Sequence, residues 1–269
     1  MLPSKSKFTD EQVQEVWDNI AAFVSESEAE AAVEAAVAET REVVRGAASR
    51  VVYGWSGGKD SVALRLVMER AGVRRCVLGL AGPVEFHSYL RWVRDNAPDG
   101  LTVFSNDTID LELLARPEHH QYVFPRRSVP AFWWTIVSSR WAQLRYQELY
   151  EPELQIHGRR RVDDNKLGDG PYSISETQGM VHYSPIRDWS HELVLAVVRY
   201  FELELPPLYF QPYGWMCGTG GWPGRNYRGL SWQEAFYVTG QIELDRLRDA
   251  APFFPDAAAA LALHERGEG

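Results

Sequence analysis

Val51-Val52-Tyr53-Gly54-Trp55-Ser56-Gly57-Gly58-Lys59-Asp60-Ser61-Val62-Ala63-Leu64 is the stretch on which the reading of this chain turns. Val51, Val52, Tyr53 and Trp55 make a short, largely apolar extended segment, which predicts a buried strand. Ser61, Val62, Ala63, Leu64, Leu66, Val67 and Met68 supply the apolar side of a helix directly behind it. The turn between them carries Gly57 and Gly58, whose missing Cβ atoms permit a sharp bend and the close approach of an anion to backbone N–H groups. A helix N-terminus adds partial positive charge. Ser56 and Ser61 offer hydroxyl donors, Lys59 a cation for phosphate, and Asp60 either a helix cap or a carboxylate for a hard cation such as magnesium. Strand, loop and helix together predict a phosphate-binding site. Ser56, Gly57, Gly58, Lys59, Asp60 and Ser61 are its candidate residues, with Asp60 the candidate metal ligand.

The loop is not the GxxxxGK[ST] form, because acidic Asp60 follows the lysine and the glycine pair comes directly after Ser56. Ser56-Gly57-Gly58-Lys59-Asp60-Ser61 instead resembles the pyrophosphate-binding loop of the N-type ATP pyrophosphatases. That superfamily includes phosphoadenosine phosphosulfate reductases, sulfate adenylyltransferase small subunits, tRNA-thiolating enzymes and amidating synthetases. Further stretches look like the phosphosulfate reductase group. His157-Gly158-Arg159-Arg160-Arg161 after Leu154-Gln155-Ile156 is similar to its strand and Gly-x-Arg turn. Pro185-Ile186-Arg187-Asp188-Trp189-Ser190 and the later Pro206-Pro207-Leu208-Tyr209 resemble its Asp-Trp-Ser/Thr helix start and its Pro-x-x-x-Leu-Tyr stretch. The resemblance runs from Val51 to Cys217, weakly between Asn106 and Glu153. It implies an adenine nucleotide alpha hydrolase-like α/β fold, with a mostly parallel sheet and flanking helices. It also implies ATP and Mg as ligands, and Arg160 at the position of an arginine that faces a phosphate or sulfate of the bound nucleotide.

Three departures bear on function. The group's Asp-Thr-Gly after the second strand is replaced by Ala81-Gly82-Pro83, although Glu85-Phe86 matches the acidic-aromatic pair that follows. The reductases' terminal Glu-Cys-Gly has no counterpart in the tail Leu263-His264-Glu265-Arg266-Gly267-Glu268-Gly269, and a thiosulfonate intermediate needs a thiolate. Cys217 resembles the first cysteine of a Gly-Cys-x-x-Cys-Thr stretch whose second cysteine is here Gly220.

Composition narrows the classes further. With 28 basic and 37 acidic residues the formal charge is −9, which opposes unspecific adhesion to nucleic acid or anionic lipid. Arg159, Arg160, Arg161 and Lys166 concentrate positive charge around Asp163 and Asp164, a cluster that suits a small acidic or nucleotide substrate better than a polynucleotide. The 2 cysteines, Cys76 and Cys217, cannot make a four-cysteine metal site, and the 7 histidines show no HExxH-type spacing. Cys76 is expected in a core strand, Cys217 in a glycine- and aromatic-rich loop where a thiol can approach substrate. No uninterrupted apolar run of about eighteen residues is present, and Met1-Leu2-Pro3-Ser4-Lys5-Ser6-Lys7 is followed by polar and acidic residues rather than an apolar stretch, so a cytoplasmic protein with no membrane partner is expected.

Three segments are expected: an amino-terminal helical extension (1–46), a nucleotide-binding core (47–210), and a carboxyl-terminal aromatic and glycine-rich extension (211–269). Thr9 to Gly46 reads as one long helix or two, with an apolar stripe that can cover the sheet or a homodimer partner. Arg75–Leu80 and Leu101–Ser105 read as strands, Val84–Asn96 as a helix. Ala131 to Tyr146 reads as an aromatic helix, mostly core, while Trp215, Trp222, Tyr227 and Trp232 are the better base-pocket candidates.

The expected function is that of an ATP pyrophosphatase-type enzyme, a Mg-dependent adenylyltransferase or ligase that cleaves the α/β bond of ATP and adenylates an acidic substrate. Lys59, Asp60 and Arg160 are its candidate catalytic residues, and a sulfur- or amine-transfer partner is compatible with a second step. The alternatives are a phosphosulfate reductase-like enzyme with an unusual thiol, and a noncatalytic nucleotide-binding module.

Overall fold

The computed structural model describes residues 2, 8–45, 50–165, 167–168, 175–177 and 180–267. In chain order the elements are α1 (Asp10–Asp18), α2 (Glu26–Val44), β1 (Val51–Gly54), α3 (Lys59–Ala71), β2 (Cys76–Leu80), α4 (His87–Asn96), β3 (Leu101–Ser105), α5 (Leu111–Leu114), α6 (Ser128–Thr135), α7 (Trp141–Tyr150), β4 (Leu154–Ile156), β5 (Ser175–Thr177), β6 (Met180–Tyr183), α8 (His191–Tyr200), α9 (Gly214–Cys217), α10 (Trp232–Ile242), α11 (Leu244–Ala250) and α12 (Pro255–Arg266). The strands form one sheet in the order β3-β2-β1-β4-β6-β5. β1 pairs in parallel with β2 and β4, and β4 with β6, while β5 returns antiparallel to β6. This is the expected α/β class with a mostly parallel sheet and flanking helices.

β1 sits in the middle of the sheet, where both faces are covered. Val51, Val52 and Tyr53 are therefore buried in succession, without the alternation of a half-exposed strand. Its register with β4 sets Val51 opposite Leu154, Val52 opposite Gln155 and Tyr53 opposite Ile156. Because the two strands run the same way, the segments that follow them leave from the same edge of the sheet.

The chain divides into two compact units. The first holds 1–78, 97–102 and 143–205. In it α2, α3 and α8 pack on one another and α1 packs on α8. The amino-terminal segment is two helices, each opened by a capping box, Thr9 with Gln12 and Ser25 with Glu28. Two good start signals a short distance apart interrupt what periodicity alone allows to be continuous. The Glu39 carboxylate in α2 takes both terminal nitrogens of Arg187, at 2.5 and 2.9 Å, and the Tyr183 hydroxyl at 2.6 Å, tying α2 to the end of β6.

The second unit holds 79–96, 103–142 and 206–269. There α10, α11 and α12 pack together, and α4 packs on the turn Pro207–Phe210. The helix read over Val84–Asn96 begins only at His87, after a short 3-10 turn at Gly82–Val84. Between α6 and α7 the backbone widens into a π-helical turn at Ile136–Arg140. The aromatic helix is less buried than expected, with Phe132 59%, Ile136 46% and Leu144 37% exposed. Trp133 instead stacks on Tyr122, ring centroids 4.2 Å apart.

Gly79 of β2 is where that π-helical turn comes closest. A Cβ there would lie 2.5 Å from the Ser138 carbonyl oxygen and 2.6 Å from the Ala142 methyl. Replacement Gly79→Ala is expected to destabilise the protein by about 1–3 kcal/mol through overpacking, measured as a lowered urea midpoint. An unchanged midpoint would show that the turn yields freely.

Candidate phosphate site

The site is assembled where β1 and β4 end. After β1, Gly57 adopts a left-handed conformation at φ 63°, which only glycine enters without strain. Gly58 then serves as N-cap of α3 with no side-chain cap, so Asp60 is not the cap the sequence allowed. The loop is closed by its own serines. Ser61 Oγ donates to the Gly58 carbonyl at 2.9 Å and accepts the Ser56 N–H at 3.1 Å. The Gly58 N–H donates to Ser56 Oγ at 3.4 Å. Ser61 is buried, so its hydroxyl shapes the loop and the N-terminus of α3 supplies the positive end.

Lys59 is almost wholly buried, and its ammonium lies 2.9 and 3.0 Å from the two carboxylate oxygens of Asp60. Asp60 also meets Arg160, whose Nε is 3.0 Å from Asp60 Oδ1, an ion pair without the alignment of a hydrogen bond. Gly158 makes that meeting possible. A Cβ on Gly158 would stand 3.2 Å from the Asp60 carbonyl oxygen, so the turn after β4 lies directly against the start of α3.

Arg160 is placed differently from the expectation that it faces a nucleotide phosphate. Its side chain is fully buried and its guanidinium is ringed by protein acceptors. Nη2 bonds Asp163 Oδ2 at 2.9 Å and His191 Nδ1 at 3.1 Å, and Nη1 donates to the Trp189 carbonyl at 3.3 Å. An always-charged guanidinium is an obligate donor, so His191 Nδ1 carries the lone pair and the ring proton sits on Nε2. Burial, then the charges of Arg160 and Lys59, depress the His191 pKa to about 4, which keeps the ring neutral. His191 Nε2 faces Asp163 Oδ1 at 3.9 Å. Arg159 is half-buried, Arg161 pairs outward with Asp188 at 2.8 Å, and Lys166 lies outside the described residues.

The sequence brings forward Lys59, Asp60 and Arg160, and sets Asp163 among the basic residues without a role, but it gives no place in the cluster to His191. The signal was present in Asp188-Trp189-Ser190. Ser190 caps α8 by accepting the Leu193 N–H at 3.0 Å, and this start presents both the Trp189 carbonyl and the His191 ring to Arg160.

The other candidates lie elsewhere in the fold. Trp215, Trp222 and Tyr227 are buried, packed with Phe124, Phe236 and Tyr209 in the core of the second unit, which corrects their reading as pocket walls. Cys217 closes the one-turn helix α9, partly buried, with Sγ 3.8 Å from the Asn226 carbonyl. Cys76 is a core thiol, pushed up to about 11 by burial. Glu85 is buried in the second unit. Its Oε1 accepts the Ala81 N–H at 3.1 Å, and burial lifts its pKa to about 7 against that bond and the fields of Arg246 and Arg225. Among the described residues no group of three or more His, Cys, Asp or Glu forms a metal cage, and no helix is long and apolar enough to cross a membrane.

No family model matches the sequence, and no curated protein matches it. Several solved structures are similar in shape. Candida glabrata FMN adenylyltransferase in complex with FAD and inorganic pyrophosphate is 12% identical over 78% of this chain and 70% of its own, at a TM-score of 0.49. The phosphoadenylyl-sulfate reductase of Candida auris, a phosphate complex, is 12% identical over 76% of this chain and 92% of its own, at 0.45. The NH3-dependent NAD synthetase of Campylobacter jejuni, in complex with nitrate, is 16% identical over 87% and 92%, at 0.44. With TM-scores below 0.5, what the site can do is read from its own residues.

Histidine 191 gives the cluster a pH signature. An unfolded histidine titrates near 6.5 and the folded one near 4, so the unfolded chain binds the extra proton first. The stabilisation is complete above about pH 6.5 and is lost as pH falls toward 4. Between pH 7 and pH 5 the parent is expected to lose about 2 kcal/mol more unfolding free energy than His191→Gln, measured by urea titration. Equal losses in the two proteins would show that His191 is not held neutral.

Proposed function

We propose that this protein is an ATP pyrophosphatase-type enzyme of the N-type superfamily, which adenylates an acidic small-molecule or nucleotide substrate and releases pyrophosphate. The observation that carries the reading is the loop from Ser56 to Ser61, a glycine turn into a helix N-terminus beside the buried Lys59 ammonium. A left-handed glycine, a helix N-terminus and an adjacent ammonium suit a polyphosphate better than any other common ligand.

In the reaction an oxygen of the acidic substrate attacks the α-phosphorus of ATP. A new P–O bond forms, the bond from the α-phosphorus to the bridging oxygen breaks, and pyrophosphate leaves with the electron pair. The negative charge that gathers on the leaving group is met by the N-terminus of α3 and by Lys59, which exchanges its contact with Asp60 for one with phosphate. Magnesium suits this donor set, because it prefers hard oxygens, keeps several waters and is often held by one or two carboxylates plus phosphate oxygens. Asp60 supplies such a carboxylate, and bound magnesium would share the charge of the departing pyrophosphate. The core of residues 47–210 carries the nucleotide in this reading, 1–46 and 211–269 are its extensions, and the protein works in the cytoplasm.

The purified chain with Mg²⁺, α-labelled ATP and pools of carboxylates and nucleotides is expected to yield AMP or an adenylate with an equal amount of pyrophosphate. ADP with inorganic phosphate would identify a different reaction, and tight ATP binding without cleavage across a broad pool would identify a binding module. By calorimetry, Lys59→Ala is expected to weaken Mg·ATP binding about tenfold or more, the scale of one lost charge-assisted contact. Retained affinity would remove Lys59 from the site.

Given adenosine phosphosulfate, with or without the additional phosphate, and a reducing protein, the chain is expected to release no sulfite. Release that disappears in a folded Cys217→Ser variant would move the chemistry to the α9 thiol.

A further inference from the structure

We propose that Asp163 is a positioning residue for the phosphate loop, holding Asp60 in place through Arg160 and cancelling the guanidinium charge so that the site accepts a magnesium-bound polyphosphate in preference to a bare one. The inference rests on the phosphate reading above. Asp163 pairs with Arg160 and faces His191.

Four charged side chains alternate in sign through the first unit: Lys59, Asp60, Arg160 and Asp163. Lys59 is 2.9 Å from Asp60, Asp60 is 3.0 Å from Arg160, and Arg160 is 2.9 Å from Asp163. His191 adds no charge, because its Nδ1 accepts from Arg160. The formal sum is zero. Without Asp163 the same constellation carries one net positive charge beside the proposed metal ligand, held where solvent screens it poorly. A positive surplus attracts free pyrophosphate and repels a divalent cation.

The geometry separates Asp163 from a general structural role. Arg160 has further acceptors in the Trp189 carbonyl and His191, so a neutral residue that still accepts a hydrogen bond at position 163 can keep the guanidinium in place. Only a carboxylate also cancels its charge. Asp163 Oδ2 takes Arg160 while Oδ1 is buried without a hydrogen bond, turned to His191 Nε2. Asp163 is itself held by the short turn Arg161–Asp163, which ends with Asp164 in the left-handed region at φ 57°.

The test is calorimetry on the full chain with sodium pyrophosphate, with and without magnesium chloride, for the parent and for Asp163→Asn. The parent is expected to bind both forms, magnesium tightening the complex. Asp163→Asn is expected to bind bare pyrophosphate as well or better, while the tightening by magnesium falls about tenfold, the effect of one poorly screened charge on a divalent ion. Equal weakening of both forms, or no change in either, would overturn the proposal with the phosphate reading intact. A parent that binds neither form would remove that reading and the inference together. Should Asp163→Asn fail to fold, a crystal structure of the parent with magnesium pyrophosphate decides. Arg160 still seated between Asp60 and Asp163, with Lys59 on phosphate, supports the assignment, and Arg160 turned onto the phosphate overturns it.

Discussion

The ion pair between Asp60 and the fully buried Arg160 is the interaction on which the site depends. It joins the first turn of α3 to the segment after β4, about a hundred positions on in the chain. A guanidinium cannot shed its charge, so burying it demands carboxylates and carbonyls on every side. That demand explains why Asp163, the Trp189 carbonyl and a neutral His191 all converge on one side chain. Truncating a carboxylate partner, so that charge and hydrogen bond are lost together, leaves the buried guanidinium short of compensation, a loss of about 3–5 kcal/mol. The cluster is therefore a folding constraint, and it joins the start of α3 to the turn after β4.

Backbone and side chains divide the work at the loop. Gly57 takes the one conformation an L side chain resists, and Ser61 closes the turn from within. Gly158 lets the second crossing lie flat against the Asp60 backbone. Lys59 and Asp60 are then neighbours in sequence that face each other at the beginning of a helix, each a counter-ion to the other. An internal counter-ion of this kind lowers the cost of burying a lysine.

The second unit illustrates the opposite use of similar residues. Its aromatic rings fill a core, with Trp222 and Phe236 almost wholly covered, and Arg225 lies over the Phe86 ring at 5.0 Å. Glu85 is buried there with one oxygen on the Ala81 N–H and the other without a hydrogen bond, and burial outweighs two arginines in setting its pKa. A carboxyl so placed follows the acidic-aromatic pair read in the sequence. Its surroundings are helical and aromatic, and they belong to a different part of the chain from the loop Ser56–Ser61.

Fold class and loop are legible in the residues alone. Short apolar runs at Val51, Arg75 and Leu101, each bounded by a helical period, can be satisfied in few ways other than a parallel sheet, and Gly57-Gly58 before a helix start leaves little choice of turn. Both signals are local, written within a few residues of where they act. Which charges meet is set by packing between distant segments. Arg159, Arg160 and Arg161 are alike as letters, and only the parallel register of β1 with β4 turns the middle one inward to Asp60 and leaves Arg161 on the surface with Asp188. The same holds for His191, a residue without a motif until the cap at Ser190 brings its ring to a buried guanidinium, and for the tryptophans, whose place in core or pocket depends on what packs over them. Periodicity carries which face is apolar, while partners distant in the chain are chosen by strand order and by the cost of leaving a charge unpaired.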